Sequence, residues 1–211
     1  MKQIRKYLLD ANIYGEMAVD KEIGKLKEYY QNCRDSILVY GIKEIIRKEL
    51  RATPKDSKIG RVKLRSNLLG LYDIFIGKHE LSITREHLQL ANEYYSAYRK
   101  FGGSKSKEIM FNDLLIVACA SSKSMDVVVS EDEKTMLTEN AVKAYKLVNN
   151  AKNKTIPRFI GYNGFKSELR SCLSNKFVGS SDKFWVLLVF LNILYQFVKI
   201  KHLANNIFQI I

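Results

Sequence analysis

A chain of 211 residues, 46% hydrophobic and 27% charged, is long enough for one well-cored globular domain with some length to spare. Its 35 Lys and Arg against 22 acids leave a formal charge of +13 and a pI near 9.5. That balance favours a polyanionic partner, nucleic acid first and an anionic membrane second, with a solvated Lys-loaded surface as the alternative. Cys33, Cys119 and Cys172 are scattered and odd in number, as are His79, His87 and His202. They set aside a zinc site, a disulfide framework and a His-based triad, and a reducing cytoplasm is the expected compartment. The opening MKQIRKYLLDAN reaches Asp10 after too few apolar residues for a signal-peptide core.

In chain order, Ile4 to Leu9 is a first strand ending in the polar step Asp10-Ala11-Asn12. A helical stretch with Ile23, Leu26, Tyr29 and Tyr30 follows, then a strand Ser36 to Tyr40 closed by Gly41. Residues 42, 45, 46 and 50 form the apolar stripe of a helix from Ile42 to Ala52, ended by Thr53-Pro54. Lys58 to Gly77 is predicted as one further helix. Leu81 to Ile83 is a brief strand between His79 and His87, both expected on the surface, and Thr84 caps the next helix with His87 in the capping-box place. That helix carries Leu88, Ala91, Tyr95 and Tyr98 and stops at Gly102-Gly103. Ile109 to Ser121 is apolar almost all round, a helix buried on most sides. Asp126 to Ser130 is a β-branched strand of the kind found in the middle of a parallel sheet. Asn140 to Asn150 is helical, and Thr155 to Ile160 is an edge strand marked by Pro157. This alternation implies an α/β fold, an open and mostly parallel sheet flanked by helices. Ligands in such sheets bind beyond the carboxyl ends of the strands.

Four acids fall near that place. Asp10 follows the first strand, Asp132 lies two residues past Ser130, Glu49 lies one helix after the second strand, and Asp113 opens the buried helix or nearly so. Asp10 and Asp113 could each be a cap, and Asp132 a loop residue. Glu49, however, has Ile45, Ile46, Ala52 and Thr53 at helical offsets, and Asp113 has Ile109, Met110, Ile116 and Val117. Both are therefore expected to face inward, which is costly for a carboxylate unless it is paired or bound to metal. Glu44, with Arg47 and Lys48 at its offsets, is expected to be a solvated pair. Carboxylates without His or Cys favour Mg²⁺ or Mn²⁺, which in phosphodiester cleavage activate water and stabilise the leaving oxygen.

These segments resemble the PIN-domain family, in particular its VapC-like toxins and their archaeal relatives. The resemblance rests on Leu8-Leu9-Asp10-Ala11-Asn12, on Arg47-Lys48-Glu49-Leu50, on Phe111-Asn112-Asp113 with its apolar helix to Ala120, and on Val128-Val129-Ser130-Glu131-Asp132. It spans roughly residues 4 to 165. It implies a ribonuclease with Mg²⁺ or Mn²⁺ held by Asp10, Glu49, Asp113 and Asp132, assisted by Ser130, with Asn12 supporting the first acid. Asp132 fits by register and Glu131 is the reserve. A toxin would also imply a cognate antitoxin that blocks the site.

Nine Lys or Arg stand against three acids between Lys43 and Arg65. They are either solvated helix faces or a phosphate-tracking surface in which Lys48, Arg51 and Lys55 take part. Tyr94, Tyr95, Tyr98 and Phe101, beside Arg99 and Lys100, could stack unpaired bases or could be core. The nuclease domain is expected over residues 1–172, with residues 173–211 as a C-terminal extension. In the extension Phe184 to Val198 is an apolar helix, short for a bilayer span, that would pack on the domain or a dimer mate, or touch a membrane edge. Set beside the nuclease is a non-cleaving module that binds RNA or a partner protein, tethered to a membrane by that tail or not.

Overall fold

The structure, a computed structural model, describes residues 4–174. Its centre is a five-stranded parallel sheet. The strands are β1 (Arg5–Leu9), β2 (Ile37–Ile42), β5 (Glu80–Leu81), β6 (Val127–Val129) and β7 (Arg158–Ile160), in the spatial order β5-β2-β1-β6-β7. Val127, Val128 and Val129 are all buried, as β-branched residues in a central parallel strand should be. β7 is an edge strand, beginning just after Pro157.

The chain moves from β1 outward to β2 and β5, then returns across the sheet to β6 and β7. With right-handed crossovers, this reversal divides the helices between the two faces. α1 (Ala11–Val19), α2 (Ile23–Cys33) and α4 (Leu64–Ile76) pack together, and α5 (Arg85–Lys100), α6 (Lys107–Ser122) and α7 (Glu139–Ala151) form the second group. A helix begins at residue 162 and joins the first group: Phe165 lies against Tyr7 and Phe75 at ring distances of 5.7 and 6.2 Å. Arg170 begins a second compact unit of the chain, so the domain described runs to Leu169. The apolar segment 184–198 lies outside the described residues. Among the described residues no helix is long and apolar enough to cross a membrane. Cys33, Cys119 and Cys172 are buried and none forms a disulfide.

Several local expectations need correction. Between Asp10 and Ile23 the chain forms α1, with Ile13, Tyr14 and Met17 buried. The helix expected over 42–52 is instead a π-helical turn, Lys43–Arg47, leading into the short α3 (Lys48–Ala52). The expected helix over 58–77 begins only at Leu64. Before it, β3 (Lys58–Ile59) and β4 (Val62–Lys63) form an antiparallel hairpin with Gly60 at φ +58°. Glycine at the first central position of a two-residue loop is the chemistry of a tight hairpin, and it outweighs the helical spacing around it. In α5 the buried face carries Leu90, Tyr94 and Tyr98, whereas Leu88 is exposed.

His87 is 1% exposed, not on the surface. The capping box explains it: His87 N–H donates to Thr84 Oγ1 at 3.4 Å, and its Nδ1 accepts the Thr84 N–H at 3.1 Å. Burial, with Lys123 and Lys154 nearby, lowers the imidazole pKa against the pull of Glu86. The neutral ring is thus the folded form, so its contribution is present above the usual histidine pKa of about 6.5 and is lost as pH falls below it. His87→Ala should cost about 1 kcal/mol in melts at pH 7. His87→Gln, which can rebuild the box, should narrow the stability difference between pH 7 and pH 5. An unchanged pH difference would remove the imidazole from that account.

Candidate active site

β1 and β6 are neighbours, and the chain leaves them in opposite directions across the sheet. Their carboxyl ends therefore bound the crevice where α/β sheets take ligands. Asp10 follows β1 and is 6% exposed. It caps α1, with Oδ1 accepting the Ala11 N–H at 2.7 Å. Its Oδ2 accepts from Ser130 Oγ at 2.7 Å and from Asn12 Nδ2 at 2.8 Å. Asn12 spans the gap between the strands, donating also to Ser130 Oγ at 3.2 Å and accepting the Glu131 N–H at 3.4 Å. Ser130 Oγ in turn accepts the Asp132 N–H at 3.1 Å.

Asp132 closes a tight turn. Its Oδ1 accepts the Lys134 and Thr135 N–H groups at 2.8 and 2.9 Å, and its Oδ2 meets the Thr135 hydroxyl. The same hydroxyl contacts Asp113 Oδ2. Asp113 lies in the second turn of α6, whose cap residue is Ser106, so it is not a cap. A threonine has one hydroxyl proton to give. Only one of the two carboxylates can take that proton at a time.

The electrostatics divide the acids. Burial pushes Asp113 up to about 7; the Thr135 hydroxyl opposes this, and the charges of Asp10, Asp132 and Glu49 add to it. Burial also raises Asp10, against its hydrogen bonds from Ser130, Ala11 and Asn12. For Asp132 burial acts in the same sense, but the Thr135 hydroxyl and the N–H groups of Thr135, Lys134 and Met136 outweigh it and hold the carboxyl below its usual range. Like charges crowding one site is a pattern typical of functional centres.

Glu49 corrects the sequence reading. It is exposed, not turned to the core, because the widened turn before α3 shifts the phase of the segment and buries Ile45, Ile46 and Leu50 instead. Desolvation and the Asp10 charge still raise its carboxyl. It lines a cleft of about 500 Å³ together with Lys48, Ile109, Asn112, Asp113, Asp132 and Thr135. Glu44 lies on this cleft too. The expected partner Arg47 instead pairs with Asp73 and lies over the Tyr72 ring.

The donor set is oxygen only and mutually repelling, which fits a hard divalent cation in chemistry. Among the described residues, though, no three acidic, His or Cys side chains stand together as a ready ligand group. Asp113 and Asp132 share one hydroxyl, Asp10 is held by three donors behind them, and Glu49 stands on the rim. Asp113, Asp132 and Glu49 would be the first to hold such an ion, with Asp10 reinforcing them by charge. Glu131 points elsewhere, its Oε1 accepting the Tyr162 N–H at 2.6 Å.

Of the basic residues singled out, Lys48 lines the cleft, and Arg51, Lys55 and Lys100 are exposed. Arg99 donates to the Gly103 carbonyl at 2.8 Å. Tyr94 and Tyr98 are core residues, Tyr94 bonded to Asn149 and Tyr98 accepting the Lys105 N–H at 3.1 Å, so neither offers a stacking face. Thr135 was not anticipated. Its signal was a threonine three residues after an aspartate in a polar turn, the spacing at which a side chain bonds back to its own turn.

No family model and no curated protein matches the chain. Among solved structures, a chain from VapBC2 of Rickettsia felis, bound to a DNA fragment from their promoter, is 15% identical at a TM-score of 0.47. That match covers 74% of this chain and 98% of the other. A chain from DNA-bound VapBC of Salmonella typhimurium is 14% identical at a TM-score of 0.44, covering 75% of this chain and 99% of the other.

Proposed function

We propose that residues 1–172 form a PIN-like nuclease of VapC type that hydrolyses RNA phosphodiester bonds with Mg²⁺ or Mn²⁺. The observation that carries this reading is the continuous run of hydrogen bonds from Asp10 through Ser130 and Asp132 to Thr135 and Asp113, beside a cleft rimmed by Glu49 and Lys48. A bound divalent cation would supply Lewis acidity toward the phosphoryl oxygen and a water of lowered pKa. Asp113, Asp132, Glu49 and Asp10 would hold that ion. Ser130 and Asn12 fix the Asp10 carboxylate, and Thr135 keeps Asp113 and Asp132 facing each other. Lys48, followed on the same segment by Arg51 and Lys55, is placed to meet phosphates, with Lys100 and Arg99 as outer contacts.

The toxin reading brings a partner with it. A cognate antitoxin would cover the cleft, most simply by offering a guanidinium, which pairs with carboxylates two bonds at a time. The second reading, a module that binds RNA or protein without cutting, is favoured by one observation: the acids do not stand as a ready ligand group. A reducing cytoplasm suits the unbridged cysteines, and a homodimer or a membrane-edge tail over 184–198 belongs with the interaction reading.

Cleavage of mixed single-stranded RNAs by the full chain, with Mn²⁺, Mg²⁺ or EDTA, decides between the two. The nuclease reading expects cutting with metal and none with chelator. Folded protein that binds RNA in a salt-sensitive, chelator-insensitive way and never cuts it would establish the module instead.

A further inference from the structure

We infer that Glu131 is a positioning residue, tying the turn that carries Ser130, Asp132 and Thr135 to the helix that begins at residue 162. The inference rests on the site proposed above. Glu131 sits between two residues of that site yet turns away from it, and its Oε1 accepts the Tyr162 N–H at 2.6 Å. The first N–H groups of a helix have no partner within it. Here the residue in the capping place is Gly161, whose carbonyl takes the Phe165 N–H at 3.1 Å but which has no side chain to serve the Tyr162 N–H. Glu131 supplies the missing acceptor from another strand's loop.

The helix is a firm post to be tied to. Tyr162 OH and Lys166 Nζ both reach Asp20 Oδ2, at 2.6 and 2.7 Å; desolvation raises the Asp20 carboxyl, but these bonds and the Glu22 N–H outweigh it and bring it down to about 2. Farther along, the Glu168 carboxylate takes Arg5 at 3.1 Å and also meets Tyr7 OH and Arg158, fastening the helix to β1 and β7. The turn has its own ties to Asp10 and Asn12 on one side. Glu131 adds the tie on the other, so that Asp132 and Thr135 are braced between the β1 end and the helix.

Gly161 marks the same contact independently. A Cβ added there would stand 2.5 Å from Glu131 Oε1 and 2.9 Å from its other carboxylate atoms. The obstruction is the tip of a flexible side chain, so alanine should cost the fold little while driving the carboxylate off the Tyr162 N–H. Two substitutions on separate segments should therefore give one phenotype.

The test uses the full chain with Glu131→Ala, Glu131→Gln and Gly161→Ala, read by amide hydrogen exchange over residues 130–137 without metal, and by Mn²⁺ titration calorimetry. Glu131→Ala and Gly161→Ala should speed exchange in 130–137 by about tenfold or more while the hairpin at 58–63 stays as in the wild type. They should also weaken Mn²⁺ binding roughly tenfold. Glu131→Gln keeps an acceptor oxygen and should resemble the wild type. If Gln and Ala behave alike, the effect is one of charge and the positioning role falls. Unchanged exchange in folded Glu131→Ala overturns it outright. Wild-type protein that takes no Mn²⁺ would sink the metal site, and exchange alone would then decide whether Glu131 braces the turn.

Discussion

Replacing Asp113 by asparagine should abolish metal-dependent RNA cleavage and, in the same protein, raise stability without metal at alkaline pH. The first effect follows from removing one of the oxygens proposed to hold the cation, on the pair that shares Thr135. Losing several kcal/mol of transition-state stabilisation corresponds to on the order of a thousandfold in rate. The second follows from the sign of the shift. Asp113 is pushed up to about 7, above the unfolded carboxyl value of about 3.9. The folded state thus holds the proton more tightly, and stability is lost as pH rises between those two values. With the carboxyl only half-buried, on the order of 2 kcal/mol is at stake. Asparagine has no proton to lose, so Asp113→Asn should melt roughly 4–8 °C above the wild type at pH 8 and near it at pH 5. Mn²⁺ should stabilise the wild type at pH 8 and leave the variant nearly unmoved. A variant that loses cleavage but melts like the wild type at every pH would mean that Asp113 is not under the strain described.

Gly103→Ala should be the most damaging single methyl in the domain's second helical layer. Gly102 takes φ +85° to end α5, and a Cβ on Gly103 would fall within the buried Tyr98 ring. Neither the ring nor the backbone can yield cheaply, because Tyr98 OH is fixed by the Lys105 N–H. Overpacking of this kind costs about 2 kcal/mol or more, a Tm lower by roughly 4–8 °C. Lys105 also bonds the Lys134 carbonyl beside Thr135, so cleavage should fall along with stability. The control is Gly15→Ala on the exposed face of α1, where nothing lies within 4 Å. It should be neutral or slightly stabilising. Equal melting of the two variants would show that the turn repacks freely.

What was legible in the sequence followed from period and chemistry. The β-branched run at Val127 to Val129 could hardly be anything but a buried strand, and a site beyond the carboxyl ends of the strands was already implied by strands alternating with helices; the strand order that sets β1 beside β6 was not. Asp10 was weighed as a cap or a ligand; it is the cap of α1 and also the hub of the acidic network, because the end of a strand is where both roles arise. Elements of two residues, such as β3 and β4, are too short to show a period, and only Gly60 betrayed them. Glu49 was misplaced because a helical wheel assumes a constant turn, and the π-helical turn ahead of it breaks that assumption. The inward turn of His87 was hidden for another reason: its capping role was visible, but burial depends on the packing of α5 against α6 and α7, which no local window contains.

The pairing of β1 with β6 has a consequence for the life of the nascent chain. Asp10 and Ser130 are 120 residues apart, and the strands that carry them are adjacent only once the whole intervening half of the sheet has been threaded. Such non-local closure is the slow step in folding. A ribosome must therefore release more than half of the polypeptide before Asp10 and Asp132 can be brought together. The network that joins Asp10, Ser130 and Asp132 is thereby a late product of synthesis, closed only after both halves of the sheet have left the ribosome.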